Sequence, residues 1–158
     1  MTRERPEADC DRSCRTNPRH TTCFDEVAAA LCAHAAGLLC AMAAVELLIE
    51  HAVWLRREDF VDRFVTVQAD PARVGETALA WVDWQAAADA VETGSLPCSA
   101  GEVRVLLVAA SIAQGVRLDL GQAVTGLDAR NGVLVARAVL VAGGHREAAD
   151  VLAGVGWR

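Results

Sequence analysis

Apolar residues dominate the first third of the chain after a polar start, and their pattern predicts helix. Between residues 27 and 55 there is no proline and a single glycine, Gly37, while Ala, Leu and Glu are frequent. Thr22 is suited to cap the helix start, and Asp25 and Glu26 then fall in the first turn, where the helix dipole favours carboxylates. We therefore predict one long helix, or two helices joined at Gly37.

Helical spacing continues from Arg56 to Val67. Apolar side chains share one stripe of this helix, namely Phe60, Val61, Phe64 and Val65, with charged residues on the other side. This is the pattern of a helix with one face on a core and the other in water. The whole of 22–68 is thus predicted to be a helical hairpin.

A break follows at Asp70-Pro71, because the residue before a proline avoids helical backbone geometry. We predict a linker at 69–81. The stretch 1–21 is polar and rich in arginine, and we predict that it is a disordered arm.

Polar capping residues divide the second half of the chain into helices. The predicted caps are Asp83, Ser99, Asp119 and Asp128. Ser99 also forms a capping box with Glu102, three residues on. We predict a compact helical bundle at 82–142, followed by a tail at 143–158 with a short helix.

Two valine-rich segments, 103–108 and 133–141, leave an alternative open, since buried strands have similar composition. The capping residues and the segment lengths favour helix. The predicted fold is therefore all-α, a small helical bundle preceded by a long amino-terminal helix or helical hairpin. An α/β fold with valine-rich strands is the alternative.

Composition narrows the possible functions. The chain has 158 residues and a net charge of −6, and it contains no lysine. An acidic chain lacks the overall positive field on which non-specific nucleic-acid binding depends. Six cysteines without a preceding apolar leader indicate a reduced, cytoplasmic protein without a disulfide framework. The arginine-only, Ala- and Val-rich usage resembles that of proteins from high-GC actinobacteria.

Ser99-Ala100-Gly101-Glu102, with the later Gly126-Leu127-Asp128, resembles the signature region of ABC-type ATPases. That resemblance implies nucleotide binding. However, a chain without lysine cannot contain the Gly-x4-Gly-Lys-Ser/Thr phosphate loop. We therefore interpret both segments as helix caps and turns.

The polar arm contains a possible zinc-binding set. Cys10, Cys14, His20 and Cys23 supply three thiolates and one imidazole, which suits tetrahedral zinc. Their spacing matches no standard zinc finger or ribbon, and a disordered arm with incidental cysteines is the alternative. A metal-stabilised arm at 10–23 is one hypothesis for the function.

A helix-turn-helix at 119–141 is a second hypothesis. The run through Thr125-Gly126-Leu127 resembles winged-helix regulators, which implies DNA binding through the helix that follows. Arg130, Asn131 and Arg137 would then face DNA. Gly132 within that helix and the acidic net charge speak against this hypothesis, and a helical hairpin within a bundle is the alternative.

The segment 27–45 has the length of a membrane span, but alanine is its most frequent residue, so we interpret it as a core helix. Glu46 and Glu50 lack the Glu-x-x-His step of di-metal bundles, and we predict a solvated helix edge there. His34 is predicted to lie in a core or an interface.

No arrangement of a nucleophile with a base is found in the sequence, so catalysis is not expected. We predict a non-enzymatic interaction or accessory protein without a cofactor. Its partner would be another protein or a second copy, bound through the apolar segment 27–55, which has few polar positions and needs covering on more than one side.

Overall fold

The structure is a computed structural model that describes residues 23–68 and 78–154. Its helices are α1 (Phe24–Ala35), α2 (Leu39–His51), α3 (Glu58–Phe64), α4 (Trp84–Glu92), α5 (Ala100–Gln114), α6 (Leu120–Thr125), α7 (Ala129–Ala142) and α8 (Arg146–Gly154), with a 3-10 turn at Trp54–Arg56. Two short strands, β1 (Val65–Gln68) and β2 (Leu79–Val82), lie between α3 and α4 in the chain. The molecule is mostly helical, which confirms the predicted fold class.

The amino-terminal hairpin forms as two helices that meet at Gly37. The backbone of Gly37 has a φ of +85°, a conformation that side chains with a Cβ rarely adopt. The chain therefore reverses between α1 and α2 instead of continuing as one long helix. Helix α1 begins at Phe24, and the Glu26 carboxylate accepts a hydrogen bond from the Cys23 N–H. The predicted cap, Thr22, lies outside the described residues.

Helix α2 is the centre of the molecule. It packs most extensively against α5 and α7, and α1 lies alongside it. Its side chains Ala44, Leu47 and Leu48 are almost completely buried. Since one hydrophobic core extends from Val27 in α1 to Ala138 in α7, residues before and after the predicted linker pack together.

A two-stranded antiparallel sheet replaces part of the predicted hairpin and linker. The predicted helix stops at Phe64, and Val65 instead pairs with Val82 and Val67 with Ala80. The prediction of helix as far as Val67 was therefore wrong. Local spacing fitted a helix, but the β-branched run 65–67 pairs with a strand whose alternate residues are buried. Residues 69–77 of the predicted linker lie outside the described residues.

The predicted caps of the second half are present. Ser99 Oγ accepts from the Glu102 N–H at 3.3 Å, and the Glu102 carboxylate accepts from the Ser99 N–H at 2.7 Å. The carboxylates of Asp83, Asp119 and Asp128 each accept from an N–H three residues on. The two valine-rich segments lie in α5 and α7, so the strand alternative was wrong for them.

Candidate functional site

Among residues 23–68, the most exposed large apolar side chains lie at the reversal between α1 and α2. Residues 36–40, which we call the apolar corner, are all exposed. Leu38 is 61% and Leu39 50% exposed, although both belong to a segment rich in core residues. Large side chains exposed side by side are typical of contact surfaces.

Hydrogen bonds hold the backbone of the apolar corner. The Leu38 N–H donates to the Ala35 carbonyl at 3.0 Å, and the Met42 N–H donates to the Leu38 carbonyl at 2.8 Å. The flanking side chains of Ala35 and Ala43 are buried. The two leucines are therefore presented outward on a hydrogen-bonded turn between two packed helices.

Residues of α1, β2 and the turn before α8 border the apolar corner. The His34 ring in the last turn of α1 lies against Trp81 of β2, with ring centroids 5.6 Å apart. Trp81 itself is 37% exposed. Gly144, in the turn before α8, lies beside the Leu39 side chain. The apolar corner is thus bordered by an aromatic pair and by the start of the α7–α8 turn.

The edge of α2 that was predicted to be solvated carries ion pairs instead. Arg146 of α8 forms two hydrogen bonds with the Glu46 carboxylate, at 2.7 and 2.8 Å. Arg137 of α7 pairs with Glu50 and lies 3.8 Å from Asp150. These contacts join α7 and α8 to α2. Sequence reasoning missed them because the partners are 87 to 100 residues apart.

The three residues predicted to face DNA make contacts within the protein. The Arg130 guanidinium donates to the Glu50 carbonyl at 3.4 Å. The Asn131 side-chain amide donates to the Asp128 carboxylate at 2.7 Å. The side chain of Arg137 is 17% exposed and ion-paired. DNA contact through these residues stays a prediction, and it would require the two arginines to exchange their present partners for phosphates or bases.

A buried histidine lies at the opposite end of α2. His51 is 4% exposed, and its Nδ1 has no hydrogen-bond partner among the described residues. Burial and then the nearby Arg130 lower the pKa of His51, whereas Glu102 and Asp128 act to raise it. Its position next to Glu50 in the sequence gave no sign of this burial, which depends on the first turns of α5 and α7.

The predicted zinc set cannot be assembled from the described residues, since Cys10, Cys14 and His20 lie outside them. Cys23 is half-buried at the start of α1. Among residues 23–68 and 78–154 no cluster of three His, Cys, Asp or Glu is placed to hold a metal ion. Zinc binding by the arm therefore stays a prediction.

Within the same two ranges, every helix is too short or too polar to cross a membrane. Comparison of the chain with protein-family models, with curated proteins and with solved structures found no match.

Proposed function

We propose that this protein is a non-enzymatic interaction protein that binds a second copy of itself through the apolar corner. The observation that supports the proposal is the exposure of Leu38 and Leu39 side by side on a hydrogen-bonded turn. Removing apolar surface from water contributes about 25 cal/mol per Å² to the free energy of association. The backbone of this turn is already held by hydrogen bonds, which lowers the entropy cost of binding, and the two leucines supply apolar area that an interface would cover.

Self-association was predicted for the whole segment 27–55. Most of its apolar side chains are now seen to be covered by α5, α7 and β2. The proposal therefore confines the contact to residues 36–40, with Trp81 and His34 at the border.

The absence of charged residues from the apolar corner fits a second copy as the occupant. The chain carries a net charge of −6, so two copies repel each other over most orientations. The apolar corner contains no Asp, Glu or Arg. Two copies that meet corner to corner place uncharged surfaces together, and a two-fold axis lets the same leucines serve both partners.

We also propose a cytoplasmic location in a high-GC actinobacterium. The four described cysteines are all unbridged, and two of them are exposed: Cys40 within the apolar corner and Cys32 in α1. A reducing compartment would keep such thiols from cross-linking.

The test is sedimentation equilibrium of the full chain over a range of concentrations. The double variant L38E/L39E is compared with V151E. This control introduces a carboxylate in α8 at Val151, which is 70% exposed. We expect the wild type to dimerise, L38E/L39E to raise the dissociation constant by at least about 30-fold, and V151E to leave it unchanged.

Circular dichroism must show native helix content in both variants. A wild type that stays monomeric at millimolar concentration contradicts the proposal. Equal weakening by V151E contradicts it as well, because the effect would then follow from added charge alone.

A further inference from the structure

A groove of about 420 Å³ lies between α5 and the segment that leads into α6. Its volume falls within the range of small-molecule sites, about 300–1,000 Å³. Its apolar lining, which we call the floor, is formed by Val103, Leu107, Leu118 and Ala123. Two arginines, Arg104 and Arg117, line the same groove. An apolar floor with a few convergent polar groups is typical of a ligand site.

Arg104 is held at one side of this groove by the backbone. Its Nε donates to the Gln122 carbonyl at 3.4 Å. Its guanidinium lies across Gly126, where a Cβ would overlap it. The absence of a side chain at Gly126 therefore provides the space in which the guanidinium lies, and its other N–H groups donate to no acceptor within the described ranges.

Among the described residues, the two acidic residues of the groove form no ion pair with its arginines. Asp119 caps α6, and its carboxylate accepts from the Gln122 N–H at 3.0 Å. Glu92 lies at the end of α4 and also lines the groove. Neither carboxylate lies within ion-pair distance of Arg104 or Arg117 in the described part of the chain. The groove thus offers many donors and one uncommitted carboxylate.

We propose that this groove binds an amphipathic monoanion, a carboxylate with an apolar tail, whose head group is held by Arg104 and Arg117. Planar guanidinium groups match a carboxylate through paired hydrogen bonds. The tail would cover Val103 and Leu107 on the floor. Glu92 disfavours a doubly charged phosphate, because like charges in a small groove repel. The site is separate from the apolar corner.

The test is calorimetric titration of the full chain with decanoate, and with decyltrimethylammonium as the cationic counterpart below its micelle concentration. We expect decanoate to bind at one site per chain and the cation to bind at least about 10-fold more weakly. R104Q should weaken decanoate binding at least about 10-fold, since a charge-assisted hydrogen bond is lost. The matched control is R56Q, at an exposed arginine outside the groove.

Two further variants locate the site. G126A keeps the charge of Arg104 but displaces its guanidinium, and we expect it to weaken decanoate binding while the helix content stays native. E92Q should strengthen binding several-fold by removing the opposing carboxylate. Equal binding of the anion and the cation, the same affinity for R104Q and R56Q, or no binding at millimolar decanoate would each overturn the proposal.

Discussion

At its first turn α2 presents Leu39 and Cys40 to solvent, whereas at its last turn Leu48 and His51 are buried. The apolar end is exposed and the end with an ionisable ring is covered, the reverse of what hydropathy alone would indicate. The difference arises from the partners of α2. The amino-terminal turns of α5 and α7 lie beside His51, as the hydrogen bonds from Trp54 to the Glu102 carbonyl and from Arg130 to the Glu50 carbonyl indicate.

The comparison shows that burial along one helix is decided by the elements that reach it. At the His51 end, the capped first turns of α5 and α7 cover α2. At the apolar corner, the small residues Ala36 and Gly37 allow a tight reversal, and no described element crosses over the two leucines. Variants at the two ends should therefore respond differently in stability and in association.

The largest difference in the free energy of unfolding is expected between variants of two leucines, Leu48 and Leu38. L48A removes a side chain that is fully buried and should lower the free energy of unfolding by about 3 kcal/mol, through lost burial and a residual cavity. L38A removes a side chain that is 61% exposed and should change it by less than about 0.5 kcal/mol. Urea denaturation measured on dilute monomer checks both values. Similar losses at the two positions would show that the corner is covered in the monomer.

A smaller effect is expected from the cap at the His51 end. S99A removes the acceptor for the Glu102 N–H and should lower the free energy of unfolding by about 1 kcal/mol. S95A is a second serine variant, which removes the hydrogen bond from the Ser95 hydroxyl to the Ala90 carbonyl but leaves the capping box intact, and we expect it to cost less than S99A. Thermal denaturation followed by circular dichroism compares the two. A loss from S95A as large as that from S99A would argue against the capping box as the cause.

The smallest predicted effect is a pH dependence that arises from His51. Its pKa in the folded protein is lowered, chiefly by burial and next by Arg130, so the unfolded chain binds a proton that the folded protein does not. The free energy of unfolding should thus be highest above the ordinary histidine pKa of about 6.5 and should decrease as the pH drops below it. Urea denaturation at about pH 7.5 and about pH 5.5 measures this loss.

H51Q should reduce that pH dependence, and H34Q, at an exposed histidine, should retain more of it. The groups that face His51 are Arg130, Glu102 and Asp128, and they are unchanged in both variants. If H51Q and the wild type lose the same stability between the two pH values, His51 is not the source of the effect.

Much of the helical framework could be predicted because its signals are local. The capping box at Ser99 and Glu102, and the caps at Asp119 and Asp128, depend on residues three apart. Gly37 likewise marks the reversal between α1 and α2 by its own backbone conformation. The strands at 65–68 and 79–82 could not be predicted in this way, since each is stabilised by a partner that is distant in the sequence.

The candidate sites, by contrast, depend on packing between distant parts of the chain and could not be located from the sequence. The sequence indicated that 27–55 is too apolar to be left uncovered, but not which of its residues the chain itself would cover. Only the packing of α5 and α7 shows that Leu47 is buried and Leu38 is exposed. The groove beside Arg104 was also missed, because Gly126 comes next to Arg104 only through the packing of α5 and α6.

The sequence by itself thus determined the helical class and most helix starts, since capping depends on neighbouring residues, and it marked Gly37 as the place where 27–55 could divide into two helices. The tertiary structure alone decided the ion pairs of Glu46 and Glu50, the burial of His51 and the exposure of the apolar corner. These depend on which surfaces meet across the molecule, and the free energy of such contacts is set by area, charge and distance in space.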